Sequence, residues 1–238
     1  MNSESKLPLH YGVGFVFAPS PELSSANVLQ FLQRLVIPER GIQFSQTQHQ
    51  GASLSLNRES PPLMVMMSAL AQGAPGSSGV PGVSQLSVIS AHPRGLASEF
   101  ADEAAEVLEA YREVWPAPSQ IIARECVVRY LFDVGDVHAF QYLWERRLHQ
   151  DAASMHAFQR PILGGGLRFV IPAREGVEEP LFDVKIESFL ANPKQLFVEA
   201  QAKWGTAPVP ESLDPSAIID TTTNYVDGPI LEFLRLES

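Results

Sequence analysis

Residues 13–35 read VGFVFAPSPELSSANVLQFLQRL, and residues 127–148 read VVRYLFDVGDVHAFQYLWERRL. Each stretch opens on an apolar run, crosses a short break, and enters a segment whose apolar residues recur every three or four positions before ending in Arg-Leu. In the first, Tyr11, Val13, Phe15 and Phe17 alternate with Gly12, Gly14 and Val16. That period of two predicts a strand with one apolar face and one nearly bare face. Pro19 and Pro21 end it, and Val28, Leu29, Leu32, Leu35 and Val36 predict a helix over 25–36, stopped by Pro38. In the second, 121–132 predicts a strand and 137–148 a helix with Val137, Phe140, Trp144 and Leu148 on one side.

Outward from these two anchors, each strand–helix pair is followed by further extended segments and another helix. In the first half the segments are 43–48, 53–56, 63–70 and 85–91, and the helix is 98–115 with Ser98 as its cap. Its apolar stripe is Phe100, Ala104, Val107, Leu108, Tyr111, Val114 and Trp115; the other face is acidic. In the second half the strands are 167–171, 182–190 and 196–204. Ala191-Asn192-Pro193 makes a hairpin of the last two, and pairing Leu190 with Lys194 sets Lys185 against Glu199 and Ile186 against Val198. Asp214-Pro215 is a helix start, Thr221-Thr222-Thr223 favours strand or turn, and Gly228-Pro229 is a break with a last helix after it.

This order predicts an α+β fold: two-layer antiparallel sheet or sheets with helices on one face, in tandem pseudo-duplicated halves, 1–118 and 119–238, packed as one compact unit. The order of elements resembles the tandem two-layer modules of gyrase-inhibitor-like ligand-binding proteins. The resemblance is one of architecture, and no motif residue carries over.

With 45% hydrophobic and 18% charged residues, the 238-residue chain has the composition of a globular protein. Its 17 basic and 27 acidic residues give a net charge of -10, a field that repels nucleic acid and anionic lipid. Arg146-Arg147, beside Glu145, is the nearest basic cluster and reads as a solvated helix end. The lone Cys126 allows neither an intramolecular disulfide nor a CxxC metal knuckle, which favours a cytoplasmic setting. On the face shared with Val128, Tyr130 and Phe132 it reads as a small buried hydrophobe. The run 11–18 is broken by Gly12 and Gly14 and preceded by Glu4 beside Lys6, so it reads as a strand, not a signal peptide. The other long apolar run, 63–71, falls far short of the ~20 residues of a membrane helix. Neither nucleic acid nor membrane is an expected partner.

No GxSxG elbow is present, and Gly73, Gly76 and Gly79 lack the Lys and Ser/Thr of a phosphate loop. The Gly/Pro/Ser-rich stretch 72–84 around them reads as a hairpin tip or lid. His138, Tyr142, Glu145 and His149 fall on one side of the second-half helix, a solvated face by default and otherwise a donor set; no metal and no cofactor is expected. Gly164-Gly165-Gly166 reads as a turn or bulge.

Two features carry the functional expectation. The sheet face turned away from the helices presents Gly12 and Gly14, then Glu125 and Arg129, then Asp183, Lys185 and Glu187. Charged strand residues face water by default; the alternative is a ligand site formed by Gly12, Gly14, Glu125, Arg129 and Glu187. The strand 63–70 is apolar on both faces and holds Met64, Met66 and Met67, so one face needs a cover. The long loop, an apolar ligand or a second subunit would serve, and a homodimer is the first choice. The function expected is that of a non-enzymatic binding or protein-interaction protein, its partner being itself, another protein or a small molecule. The alternatives are an enzyme whose carboxylates, Glu125 or Glu187, lie under the 72–84 loop, and an acidic adaptor that binds through the helix 98–115.

Overall fold

The structure, a computed structural model, describes residues 6–37, 41–70, 82–115, 120–208 and 214–235. The chain is a mixed α/β protein built on a large antiparallel sheet. Its elements run β1 (Lys6–Ala18), α1 (Ser25–Leu35), β2 (Gln46–Gln50), β3 (Ser53–Glu59), β4 (Pro62–Leu70), β5 (Val83–Ala91) and α2 (Ala97–Val114). Then follow β6 (Gln120–Asp133), α3 (139–147), β7 (Gly166–Ile171), β8 (Leu181–Ser188), β9 (Gln195–Trp204), β10 (Ala207–Pro208) and α4 (216–234). Strands are ordered β2-β3-β4-β5-β1-β6-β9-β8-β7, and the short β10 pairs with β6.

Two compact units divide the chain: residues 10–126 with 203–221, here the α1/α2 unit, and residues 1–9, 127–202 and 222–238, here the α3 unit. β1 and β6 each begin in one and end in the other.

In the α1/α2 unit the period-two pattern becomes rows of core side chains. Val13 pairs with Val88, Val88 with Val65 and Val65 with Leu56; Phe15 pairs with Leu86, Leu86 with Met67 and Met67 with Leu54. All eight are buried. The stripe of α2 meets this face through Phe100 on Tyr11 and Tyr111 on Phe17, with ring centroids 5.7 and 5.2 Å apart. α1 is capped by Ser24, whose hydroxyl accepts from the Asn27 amide, and places Phe31 against Trp115. α2 begins one residue before the expected Ser98 cap, because the Glu99 carboxylate accepts from the Leu96 N–H and satisfies an open donor of the first turn.

In the α3 unit the β8–β9 hairpin takes the expected register: Phe189 donates to the Gln195 carbonyl, and Lys185 meets Glu199. The helices depart from expectation. α3 makes one ordinary turn, Ala139–Gln141, and continues as the wider π form through Tyr142–Arg147. His138 caps it, its ring accepting from the Phe140 amide; Tyr142 is buried, donating to the Leu234 carbonyl; His149 lies beyond the end with φ 53°. The expected solvated stripe therefore does not form: one member is a cap, one is core and one is past the helix.

α4 runs without a break where Thr221-Thr222-Thr223 and Gly228-Pro229 predicted one. Thr221 returns its hydroxyl to the Ala217 carbonyl, while Thr222 and Thr223 are buried, so tertiary packing overrides strand propensity. Pro229 is accommodated in a π turn, Val226–Ile230. The i−4 carbonyl with which a proline ring collides in an ordinary helix is not the hydrogen-bond partner of this wider turn.

Candidate functional site

The face of the α1/α2 sheet opposite its core is built from residues that alternate with the core rows. One row joins Gln48, Ser55, Met66, Ser87 and Gly14, each paired with the next across β2, β3, β4, β5 and β1. On one side lies the row Gln50, Ser53, Ser68, Gln85, Val16, and on the other Gln46, Asn57, Met64, Ile89, Gly12. None of the residues in these three rows is charged. Between Gln48, Ser55, Met66, Ser68, Gln85 and Ser87 the surface sinks into a groove of about 410 Å³.

This arrangement unites the two groups of residues that the sequence singled out separately. Gly12, Gly14 and Glu125 share the face with Met64 and Met66, whereas Met67 points to the core side and is 3% exposed. The two glycines are not bare. A Cβ on Gly14 would stand 3.1 Å from Cγ and 3.2 Å from Oε1 of Glu125, and one on Gly12 would stand 2.9 Å from Nε2 of His10. The close approach that glycine permits is thus used by the chain's own long side chains, which lie flat on the sheet. Met66, 38% exposed, is the largest apolar group left open on the face.

Arg129 and Glu187 belong to the α3 unit, where the sheet carries a ladder of ion pairs. Glu199, 8% exposed, accepts from Arg129 Nε at 2.6 Å and from Lys185 Nζ at 2.5 Å. Arg168 grips Asp183 with two hydrogen bonds of 2.9 and 2.6 Å. Burial by itself would raise the pKa of Glu199, but the bonds from Lys185 and Arg129 outweigh it and hold the carboxyl below its usual range. Arg129 is therefore a partner within this ladder, while Glu187 is exposed, its stem laid over Gly166.

The glycine run is a place of close approach and not a simple turn. A Cβ at Gly165 would stand 2.8 Å from the Phe140 ring and one at Gly166 would stand 2.3 Å from the Ile186 carbonyl oxygen. Beside it, Phe140, Trp144, Leu148, Phe158 and Leu167 wall an apolar groove of about 700 Å³.

Sequence reasoning missed the amide and hydroxyl residues of β2, β3 and β5 as part of any site. The alternation Ser53-Leu54-Ser55-Leu56-Asn57 held the signal, since it puts every polar residue on the face opposite the leucines. The 72–81 part of the glycine-rich loop lies outside the described residues. Among the described residues no three of His, Cys, Asp and Glu come together so as to hold a metal ion, and no helix is long and apolar enough to cross a membrane. Cys126 is fully buried.

No protein-family model matches the chain, and no curated protein matches its sequence significantly.

Proposed function

We propose that this is a non-enzymatic binding protein that associates with a second copy of itself through the open face of the α1/α2 sheet. The observation that carries the reading is the absence of charge from the three rows around Met66, in a chain of net charge -10. A sheet face meant only for water ordinarily carries charged side chains. Two strongly acidic molecules approach each other best where their surfaces are poorest in charge, here the three uncharged rows with Glu125 at their margin over Gly14, and glutamine, asparagine and serine both donate and accept. Such a face is complementary to its own copy across a twofold axis.

The same reading takes the helices as a layer on one face of the sheet and the two halves as products of duplication. In support, the strands β2 to β5 form a meander with β1 returned beside its last member, and β7 to β9 form a meander with β6 returned in the same way. The reading places the protein in the cytoplasm, where a single buried thiol stays reduced. It is preferred to an enzyme because Glu125 lies over Gly14 on the sheet face and Glu187 is exposed, so neither stands in an enclosed pocket of the kind a substrate needs.

Sedimentation velocity tests it. The wild type is expected as a dimer, and Met66→Glu, which plants like charges at the centre of the contact, as a monomer. A wild type that remains monomeric at all accessible concentrations, or a Met66→Glu dimer of unchanged stability, refutes the proposal.

A further inference from the structure

Arg147, one half of the basic pair that the sequence reads as a solvated helix end, is half-buried and has no ion-pair partner among the described residues. Its guanidinium carbon stands 5.9 Å from the centroid of the Phe233 ring. Its Nε is buried without a hydrogen-bond partner, and no carboxylate pairs with it among the described residues. A buried donor left open in this way is a standing deficit that an anion would remove.

Phe233 is also a wall of an apolar pocket of about 200 Å³, together with Phe169, Val184, Ile186, Pro229 and Ile230. Phe169 meets Phe233 edge-on at 5.5 Å and is 38% exposed, so the pocket opens at the sheet's β7 edge. Both helices that frame the arrangement do so with π turns. The turn Val226–Ile230 carries Pro229 and Ile230 into the pocket wall, and the turn Tyr142–Arg147 ends on Arg147 itself. Such turns are uncommon and recur at functional sites.

From this geometry we infer that the pocket and Arg147 together bind a small amphipathic carboxylate, an aryl or short-chain alkyl acid. The space takes one ring or a short chain. The guanidinium, its central carbon 5.9 Å from the centroid of the Phe233 ring that walls the pocket, offers the planar fork that matches a carboxylate. The site belongs to the α3 unit and does not depend on the self-association proposed above.

The test is a titration with 3-phenylpropionate, and with 3-phenylpropanol as its uncharged counterpart, followed by methyl NMR at Ile171, Ile186 and Ile230. The acid is expected to shift these methyls and to bind at least about tenfold more tightly than the alcohol, the worth of one charge-assisted hydrogen bond. Arg147→Gln is expected to erase that difference while leaving the alcohol's affinity unchanged, which shows the pocket intact. Ile230→Trp, which fills the pocket and leaves Arg147 in place, is expected to abolish binding of both. Equal affinity for acid and alcohol in the wild type, acid binding unimpaired in Arg147→Gln, or methyls that do not move overturns the inference.

Discussion

Replacing Glu199 by glutamine keeps the shape of the side chain and removes its charge, so it isolates the electrostatic part of the ladder in the α3 unit. Two hydrogen bonds, from Arg129 at 2.6 Å and Lys185 at 2.5 Å, lose their ionised acceptor. A bond to an ionised partner contributes about 1.5–3 kcal/mol and a neutral one about 0.5–1.5 kcal/mol, so two exchanges amount to roughly 2–3 kcal/mol. Arg129 and Lys185 are 39% and 38% exposed, and water recovers part of the loss for both. The expected cost is about 1–2 kcal/mol. In urea melts with a slope of about 3 kcal/mol/M, the midpoint falls by roughly 0.5 M.

The sign of the pH dependence follows from the lowered pKa of Glu199. The folded state binds this proton less readily than the unfolded chain. The stability the carboxylate contributes is therefore present above the ordinary glutamate range and lost as pH falls through its own lower value. The gap between wild type and Glu199→Gln should be full at neutral pH and should close in acid. A gap of the same size at both, or no change of midpoint at pH 7, refutes the reasoning.

Gly166→Ala places a methyl 2.3 Å from the Ile186 carbonyl oxygen and 2.8 Å from the Glu187 Cα, backbone atoms that cannot turn aside. It should cost about 2–3 kcal/mol in thermal or urea unfolding. Gly205→Ala, where no atom stands within 4 Å, should change stability little and serves as the control. Tyr111 has its pKa pushed up to about 12 by burial, offset a little by the Ser84 hydroxyl, which lies near without forming a well-made hydrogen bond. Unfolded tyrosine ionises near pH 10, so wild type should lose roughly 2–3 kcal/mol as pH rises from about 10 to 12. Tyr111→Phe should lack that loss and be at least as stable at neutral pH, as urea melts across the range will show. A Phe variant with the same alkaline decline would mean that other groups cause it.

The strands were legible wherever one face is core and the other is not. Tyr11 to Phe17 and the run Ser53 to Asn57 alternate because the pleat alternates, and Lys185 found Glu199 because opposite charges face across a hairpin of known loop length. The helices were less legible where the turn widens. A stripe drawn at ordinary helical spacing put Tyr142 in water, whereas it is buried and donates to the Leu234 carbonyl. Pro229 reads as a break only so long as the turn around it is assumed to be ordinary. For the open face, sequence alternation identified the glycines and methionines. It gave no means of knowing that Glu125 and His10 would fold over those glycines, since that depends, for Glu125, on which strand comes to lie beside β1 and, for His10, on the turn of its own side chain along β1.

The division of β1 between the two units also bears on how the chain folds as it leaves the ribosome. Lys6–Leu9 are among the first of the described residues to emerge, yet they count with 127–202 and 222–238, which come much later. His10–Ala18, made in the same moments, can pair with β5 as soon as residues 83–91 have been translated. One end of a single strand can therefore settle early while the other waits until its second neighbour, β6, has been made. Lys6, Pro8 and His10 fall within or beside that waiting segment. Charge and proline discourage premature edge-to-edge pairing, so they guard a nascent strand against the wrong neighbour during that interval.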